Sequence, residues 1–271
     1  MHKLNSPTVI VDSVTRTYRS DNRRSLLGPW FGKKAGARNV TALNAVSLAA
    51  NAGECVGVLG RNGSGKSTLM RLIAGNESPD FGRVLVSATP TLLNVSAALQ
   101  PKLTGRANIR LGLLAQGVAR DQLERLSVEI QEFAEIGEAI DRPMATYSSG
   151  MGARLKFAIS TAVRREILLV DEALGTGDAG FTEKAQERMS GFLDDAGTIF
   201  FVSHSMQSIK SICSRSIWLH EGRVIADGPT ETVGTLYNKW MARTARKNFD
   251  IADSLLRGVE ESYSAPKFHY Q

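Results

Sequence analysis

At 271 residues, 42% hydrophobic and 22% charged, the chain can bury one large core, or a core plus a small subdomain. No stretch approaches the roughly 20 uncharged apolar residues of a membrane span, and the polar start Met1 to Pro7 lacks the apolar core of a secretory signal, so the chain is expected in the cytoplasm. The net charge of +6 is concentrated: Arg16, Arg19, Arg23, Arg24, Lys33, Lys34 and Arg38 stand against Asp21 alone, the remainder is balanced, and no nucleic-acid partner is expected.

In chain order, Thr8 to Val14 and Thr41 to Leu48 are short apolar, β-branched runs that predict strands of a first β layer, with the basic stretch inserted between them. Cys55 to Leu59 is apolar, Gly60 to Gly65 is turn-rich, and Leu69, Leu72 and Ile73 fall at helical spacing, which predicts a strand, a glycine loop and a helix. Between Gly105 and Ile140, Leu123, Leu126, Ile130 and Phe133 recur at helical intervals and predict a helical subdomain. Ile167 to Val170 and Thr198 to Val202 predict buried strands of a mostly parallel sheet, continued by Ile217 to Leu219 and Val224 to Ala226. After Pro229 a helical tail is expected to about Gly258, with Ser262 to Gln271 poorly ordered. Cys55 and Cys213 lie far apart without metal-ligand spacing and are expected as buried free thiols.

Gly60, Arg61, Asn62, Gly63, Ser64, Gly65, Lys66 and Ser67, followed by Thr68, match the Walker A pattern between a predicted strand and helix. Glycines let backbone N–H groups converge on phosphate oxygens and the helix N-terminus adds partial positive charge; Lys66 reaches the β- and γ-phosphates and Ser67 offers a hydroxyl to Mg²⁺. Ile167 to Val170 then delivers Asp171 and Glu172 at the carboxyl end of a strand, where ligands of open parallel sheets bind. Asp171 would hold Mg²⁺ directly or through water, and Glu172 would position and polarise the attacking water.

Tyr147, Ser148, Ser149, Gly150 and Met151, at a predicted helix start upstream of that strand, resemble the signature sequence of ABC ATPases in the form found in exporters of teichoic acid, O-antigen and capsule. The resemblance spans roughly Val9 to Leu236 and implies an α/β fold: a P-loop NTPase with an antiparallel β layer, a mostly parallel core sheet and a helical subdomain. It implies that Ser148, Ser149 and Gly150 contact ATP held by the opposite subunit of a homodimer, that Gly177 and Asp178 form the D-loop, and that His204 is the switch histidine near the γ-phosphate. Tyr18 resembles the aromatic that stacks on adenine. Leu103 to Ile109 resembles the segment after the Q-loop, with Ala107 where the family usually has glutamate; no glutamine stands about ten residues before Thr104, and Asn94 is the nearest candidate for that Mg²⁺ contact.

The resemblance thus implies ATP and Mg²⁺ as cofactors, a polytopic permease with two copies expected, and a peripheral position on the cytoplasmic face of the cell membrane. The organisation expected is an ABC ATPase domain over 8–236, with a helical subdomain at about 100–160 and the insertion at about 19–39, then a helical tail over 237–271. Leu26, Leu27, Trp30 and Phe31, flanked by Arg23, Arg24, Lys33 and Lys34, give the insertion the pattern of a segment that meets a membrane surface. An exporter of another lipid or drug, or an ABC ATPase outside transport, is the competing reading.

Overall fold

The computed structural model describes residues 6–20, 38–92, 99–163, 165–171, 179–195, 197–203 and 205–268. Most of the basic insertion, and Asn94, Glu172, Asp178 and His204, lie outside the described residues. Two sheets organise the rest. The first holds β1 (Pro7–Ser20), β2 (Arg38–Asn51) and β4 (Phe81–Val86), antiparallel throughout in the order β2-β1-β4. Val9, Val11, Val14, Leu43, Val46 and Leu48 make its buried face. Both long strands run past their apolar runs, because Tyr18↔Val40 and Arg19↔Asn39 continue the ladder where burial has stopped. β4 gave no signal in the sequence, since Val84 is its only half-buried residue and the others are exposed.

The second sheet combines β3 (Cys55–Leu59), β5 (Thr91–Leu92), β6 (Ile167–Asp171), β7 (Thr198–Val202), β8 (Arg215–His220) and β9 (Arg223–Pro229) in the order β5-β6-β7-β3-β8-β9. It is parallel except for the β8–β9 hairpin. Its central strands are buried on both faces, and the period of two sorts their side chains. Val56, Val58, Ile167, Leu169, Phe200 and Val202 face α1 (Lys66–Ile73) and the antiparallel layer. Cys55, Leu59, Leu168, Val170, Ile199 and Phe201 face the other way. There they meet α5 (Ala179–Asp194), α6 (Met206–Ile212), α7 (Thr230–Ala245) and α8 (Phe249–Ser262).

A third cluster joins α2 (Gly105–Ala115), α3 (Leu123–Ala134) and α4 (Ser149–Ser160) through Ile109, Leu113, Leu126, Ile130, Leu155 and Ile159. Phe133, Phe157 and Phe181, with ring centroids 5.6 to 5.9 Å apart, tie α3 and α4 to α5.

Two expectations need correction. The structure pairs Cys55 and Cys213 in a disulfide, with Cα atoms 4.8 Å apart, instead of leaving two free thiols. The parallel register Val56↔Arg215 is the reason, since it brings Cys55, the first residue of β3, beside Cys213, two residues before β8, although 158 positions separate them. The end of the chain is also better held than its composition suggested. Two helices follow Pro229, and Tyr263 beyond them packs on the core beneath the antiparallel layer, its hydroxyl donating to Ser47 O at 3.5 Å.

Candidate functional site

β3 is buried along its whole length, lies parallel beside β8 and ends at Leu59, where the chain turns into the loop that leads to α1. At Gly60, φ is +154° and a Cβ would stand 2.4 Å from Leu219 O, so only glycine lets the loop lie this close to the neighbouring strand. Gly65, at φ +107°, would place a Cβ 2.5 Å from Ala42 O. The loop is braced from outside: Gly222 N, in the β8–β9 hairpin, donates to Ser64 O at 3.0 Å, and Asn44 N donates to Gly222 O at 2.8 Å. α1 starts directly behind it with Gly65 as N-cap and no side-chain cap, which leaves its first N–H groups for an anion. The Lys66 ammonium folds over the loop, donating to Gly60 O at 2.6 Å and Arg61 O at 3.0 Å.

The sheet order delivers the second half of the site. Asp171 ends β6, two strands from the loop, and Ser67 Oγ donates to Asp171 Oδ2 at 3.3 Å across 104 residues of chain. A cleft of about 470 Å³ opens over this pair, lined by Tyr18, Thr41, Asn62, Lys66, Ser67 and Asp171 among others. That volume suits a nucleotide-sized ligand. Asn62, Gly63, Gly65, Lys66, Ser67 and Thr68 all reach this cleft, while Gly60, Arg61 and Ser64 shape the loop behind it. A larger cavity of about 550 Å³ lies away from this chemistry, between α3 and α5. The Arg188–Glu129 ion pair at 2.7 Å joins those two helices, and we read that cavity as a seam between the helical layer and the core.

Tyr18, on β1, lines the same cleft. Its hydroxyl donates to Glu77 Oε2 and accepts from Arg71 Nη2 at 3.1 Å. Thr41 and Val202 line the same cleft and were not singled out in the sequence. The register Thr17↔Thr41 places Thr41 there, a long-range pairing with no local signature.

Ser148, Ser149 and Gly150 do not line the cleft. Ser148 caps α4, its Oγ accepting from Met151 N at 3.2 Å, so this exposed helix start sits in the helical layer. The turn that precedes α2 in the same layer is built on Asn108, which is fully buried. Its amide donates to the carbonyls of Gln100 (2.9 Å), Leu103 (3.1 Å) and Thr104 (3.0 Å) and accepts from Gln100 N at 2.7 Å. Both its amide nitrogen and its amide oxygen are engaged in one turn, which explains an asparagine in an apolar interior.

A P-loop behind a parallel strand, a carboxylate from a strand two places away and a separate helical layer define an ABC-type ATPase fold. Residues 43–175 match the ABC transporter family. The fold superposes with a TM-score of 0.68 on the ATP-binding cassette MJ0796, solved as a dimer in a post-hydrolysis state bound to ADP and Pi, at 22% identity over 82% of this chain and 98% of that one. The chain is 39% identical to the teichoic acids export ATP-binding protein TagH of Bacillus anthracis over 86% of its own length and 42% of the relative's. It is 34% identical to TagH of Staphylococcus haemolyticus over 94% of its own length and 97% of the relative's. The chain therefore belongs to the ABC transporter family, among the teichoic acids export ATP-binding proteins. It spans less than half the length of the Bacillus relative and nearly the whole of the staphylococcal one.

Proposed function

We propose that this chain binds and hydrolyses ATP to power export of a lipid-linked cell-surface polysaccharide of the teichoic acid type, through a separate polytopic permease. The observation that carries this reading is the meeting of Ser67 and Asp171 at the mouth of the Lys66 loop. In this reading the loop amides and the N-terminus of α1 hold the phosphates, and Lys66 exchanges the carbonyls of Gly60 and Arg61 for phosphate oxygens. A hydroxyl and a carboxylate 3.3 Å apart suit Mg²⁺, which takes one or two protein oxygens and keeps its other positions for water and phosphate. When bound, Mg²⁺ would neutralise charge on the transferring phosphoryl. Tyr18 would stack on adenine, Glu172 would orient the attacking water, Asn94 would supply a further Mg²⁺ contact, and His204 would lie near the γ-phosphate.

Two chains would form a head-to-tail homodimer, Ser148, Ser149, Gly150 and Asp178 of each serving the ATP held by the other. The capped start of α4, exposed at Ser148 and Ser149, is suited to such a contact. No helix among the described residues is long and apolar enough to cross a membrane, and the chain would work as a peripheral subunit on the cytoplasmic face, under the permease. The ATPase domain would occupy 8–236, with the remaining residues packed on its core.

Replacing Glu172 with Gln in the full chain tests the reading. ATP binding should persist, turnover should drop by orders of magnitude, and ATP should now hold the chains as a dimer in size-exclusion chromatography. Wild-type turnover in that variant would remove Glu172 from the chemistry, and unchanged ATP affinity in Lys66→Ala would overturn the nucleotide site itself. For the cargo, cells lacking the chain should accumulate the lipid-linked glycan on the cytoplasmic leaflet.

A further inference from the structure

Tyr18 is held by more than its own strand. Its hydroxyl donates to Glu77 Oε2 and accepts from Arg71 Nη2 at 3.1 Å, while Arg71 Nε donates to the other oxygen of Glu77 at 2.6 Å. The Arg16 guanidinium carbon lies 5.1 Å from the centre of the Tyr18 ring, and Arg16 itself is anchored on Asp80 at 2.9 Å. Asp80 in turn accepts from Thr17 N at 2.6 Å. These partners come from β1, from α1 and from the turn after α1, 53 to 64 residues apart in sequence.

Arg71 is the link that matters. It stands on α1, five residues after Lys66, or about 7.5 Å along the axis at 1.5 Å per residue, and its Nη2 also donates to Thr68 Oγ1 at 3.3 Å. The helix that begins with Lys66 and Ser67 therefore also grips the hydroxyl of the aromatic ring that lines the same cleft. We infer that Arg71 and Glu77 are positioning residues that fix the Tyr18 ring at a set distance from the phosphate loop, so that base and phosphates are read by one rigid unit. The inference deepens the nucleotide-site reading above and rests on it. Burial favours the protonated carboxyl of Glu77, but the Tyr18 hydroxyl and Arg71 outweigh it and hold the group below the usual carboxylate range. Glu77 thus stays an anionic acceptor for the Tyr18 hydroxyl at neutral pH. A ring tied only to β1 would be free to swing about its side-chain torsions and would have to be immobilised each time a nucleotide bound.

The test compares ATP with inorganic tripolyphosphate, which carries phosphates and no base, in equilibrium binding to the full chain. Tyr18→Phe keeps the ring and removes the hydroxyl; it should weaken ATP binding roughly 3- to 10-fold, the weight of immobilising one side chain on binding, and leave tripolyphosphate affinity unchanged. Arg71→Met should give the same split. If Tyr18→Phe binds both ligands as the wild type does while Tyr18→Ala loses ATP affinity, the ring reads the base but the clamp does not matter, and the inference is wrong. An equal loss for both ligands in Tyr18→Phe and Arg71→Met would also overturn it, because the damage would then be to the loop. If even Tyr18→Ala binds ATP normally, base stacking by Tyr18 fails first and the clamp with it.

Discussion

Arg215 offers a sharp test of what holds the site in place. It heads β8, opposite Val56 of β3, and is 7% exposed. Its guanidinium makes a two-pronged pair with Asp227 on β9 (2.6 and 2.7 Å), reaches Glu54 at 3.0 Å, and donates to Ala49 O on β2 at 2.9 Å. Burial works against its charge, and Asp227 and Glu54 more than offset it, so the group is held more firmly charged than a free arginine. One side chain thus joins the antiparallel layer to the sheet that carries the phosphate loop. Arg215→Met would leave Asp227, whose side chain is 5% exposed, without its counter-ion. Removing one member of a buried pair costs about 3–5 kcal/mol. For a chain of this size that corresponds to a melting midpoint lower by about 6–20 °C. Arg215→Met with Asp227→Leu removes both charges and should recover at least half of that loss, since Glu54 keeps partial exposure and its bond from Asn51 N at 2.9 Å. Urea titrations with an unchanged slope would measure both. A loss below about 1 kcal/mol in the single variant, or a double variant no better than the single, would refute the account. Under native conditions both variants should bind ATP within about twofold of the wild type, because the cluster supports the loop's frame without touching the cleft.

Three further outcomes are expected. Gly65→Ala should destabilise by more than about 2 kcal/mol, since it combines φ +107° with a Cβ 2.5 Å from a backbone oxygen; Gly63→Ala, at φ +81° with nothing within 4 Å, should cost only about 1 kcal/mol, and equal urea midpoints for the two would sink this distinction. His220 lies half-buried beside Trp218 and Trp240; burial lowers its pKa against the pull of Glu221, Glu260 and Asp253, with Arg61 adding to the lowering. The unfolded chain therefore takes up the proton first, stability should fall as the pH drops through about 6.5, and His220→Gln should flatten the change in urea midpoint between pH 7.5 and 5.5. On the sequence reading of the insertion, where each basic residue near an anionic leaflet adds about 1 kcal/mol, Trp30→Ser with Phe31→Ser should weaken co-sedimentation with anionic vesicles and impair export while sparing the ATPase of the isolated subunit; loss of ATPase with normal folding would place these rings at the nucleotide instead.

The parts of the molecule that could be read from the sequence are those whose cause is local. Ile167 to Val170 and Thr198 to Val202 are continuous apolar runs because both faces of their strands are covered, and the structure extends each by at most one residue. The loop from Gly60 to Ser67 was legible because the demands on it, φ values that favour glycine at Gly60, Gly63 and Gly65, fall within a few consecutive residues. Asp171 could be joined to Ser67 only through the Walker loop and the rule that ligands of open parallel sheets bind at the carboxyl ends of their strands, as nothing within the 104 residues between them announces that β6 will lie two strands from β3. The disulfide of Cys55 with Cys213, the Arg215 cluster and the partners of Tyr18 were hidden for the same reason: strand order creates them, and each partner alone looks like an ordinary surface or core residue. Arg16 illustrates the point, for composition counted it with the basic insertion while its guanidinium turns inward to Asp80 and the Tyr18 ring. On the proposed reading, the phosphates would be held by a short stretch of chain and the base by three elements that only the folded structure brings together. If Tyr18 stacks on the base as proposed, changes in sequence that keep the Walker loop intact would still alter how the base is held, by way of Arg71, Glu77 or Asp80.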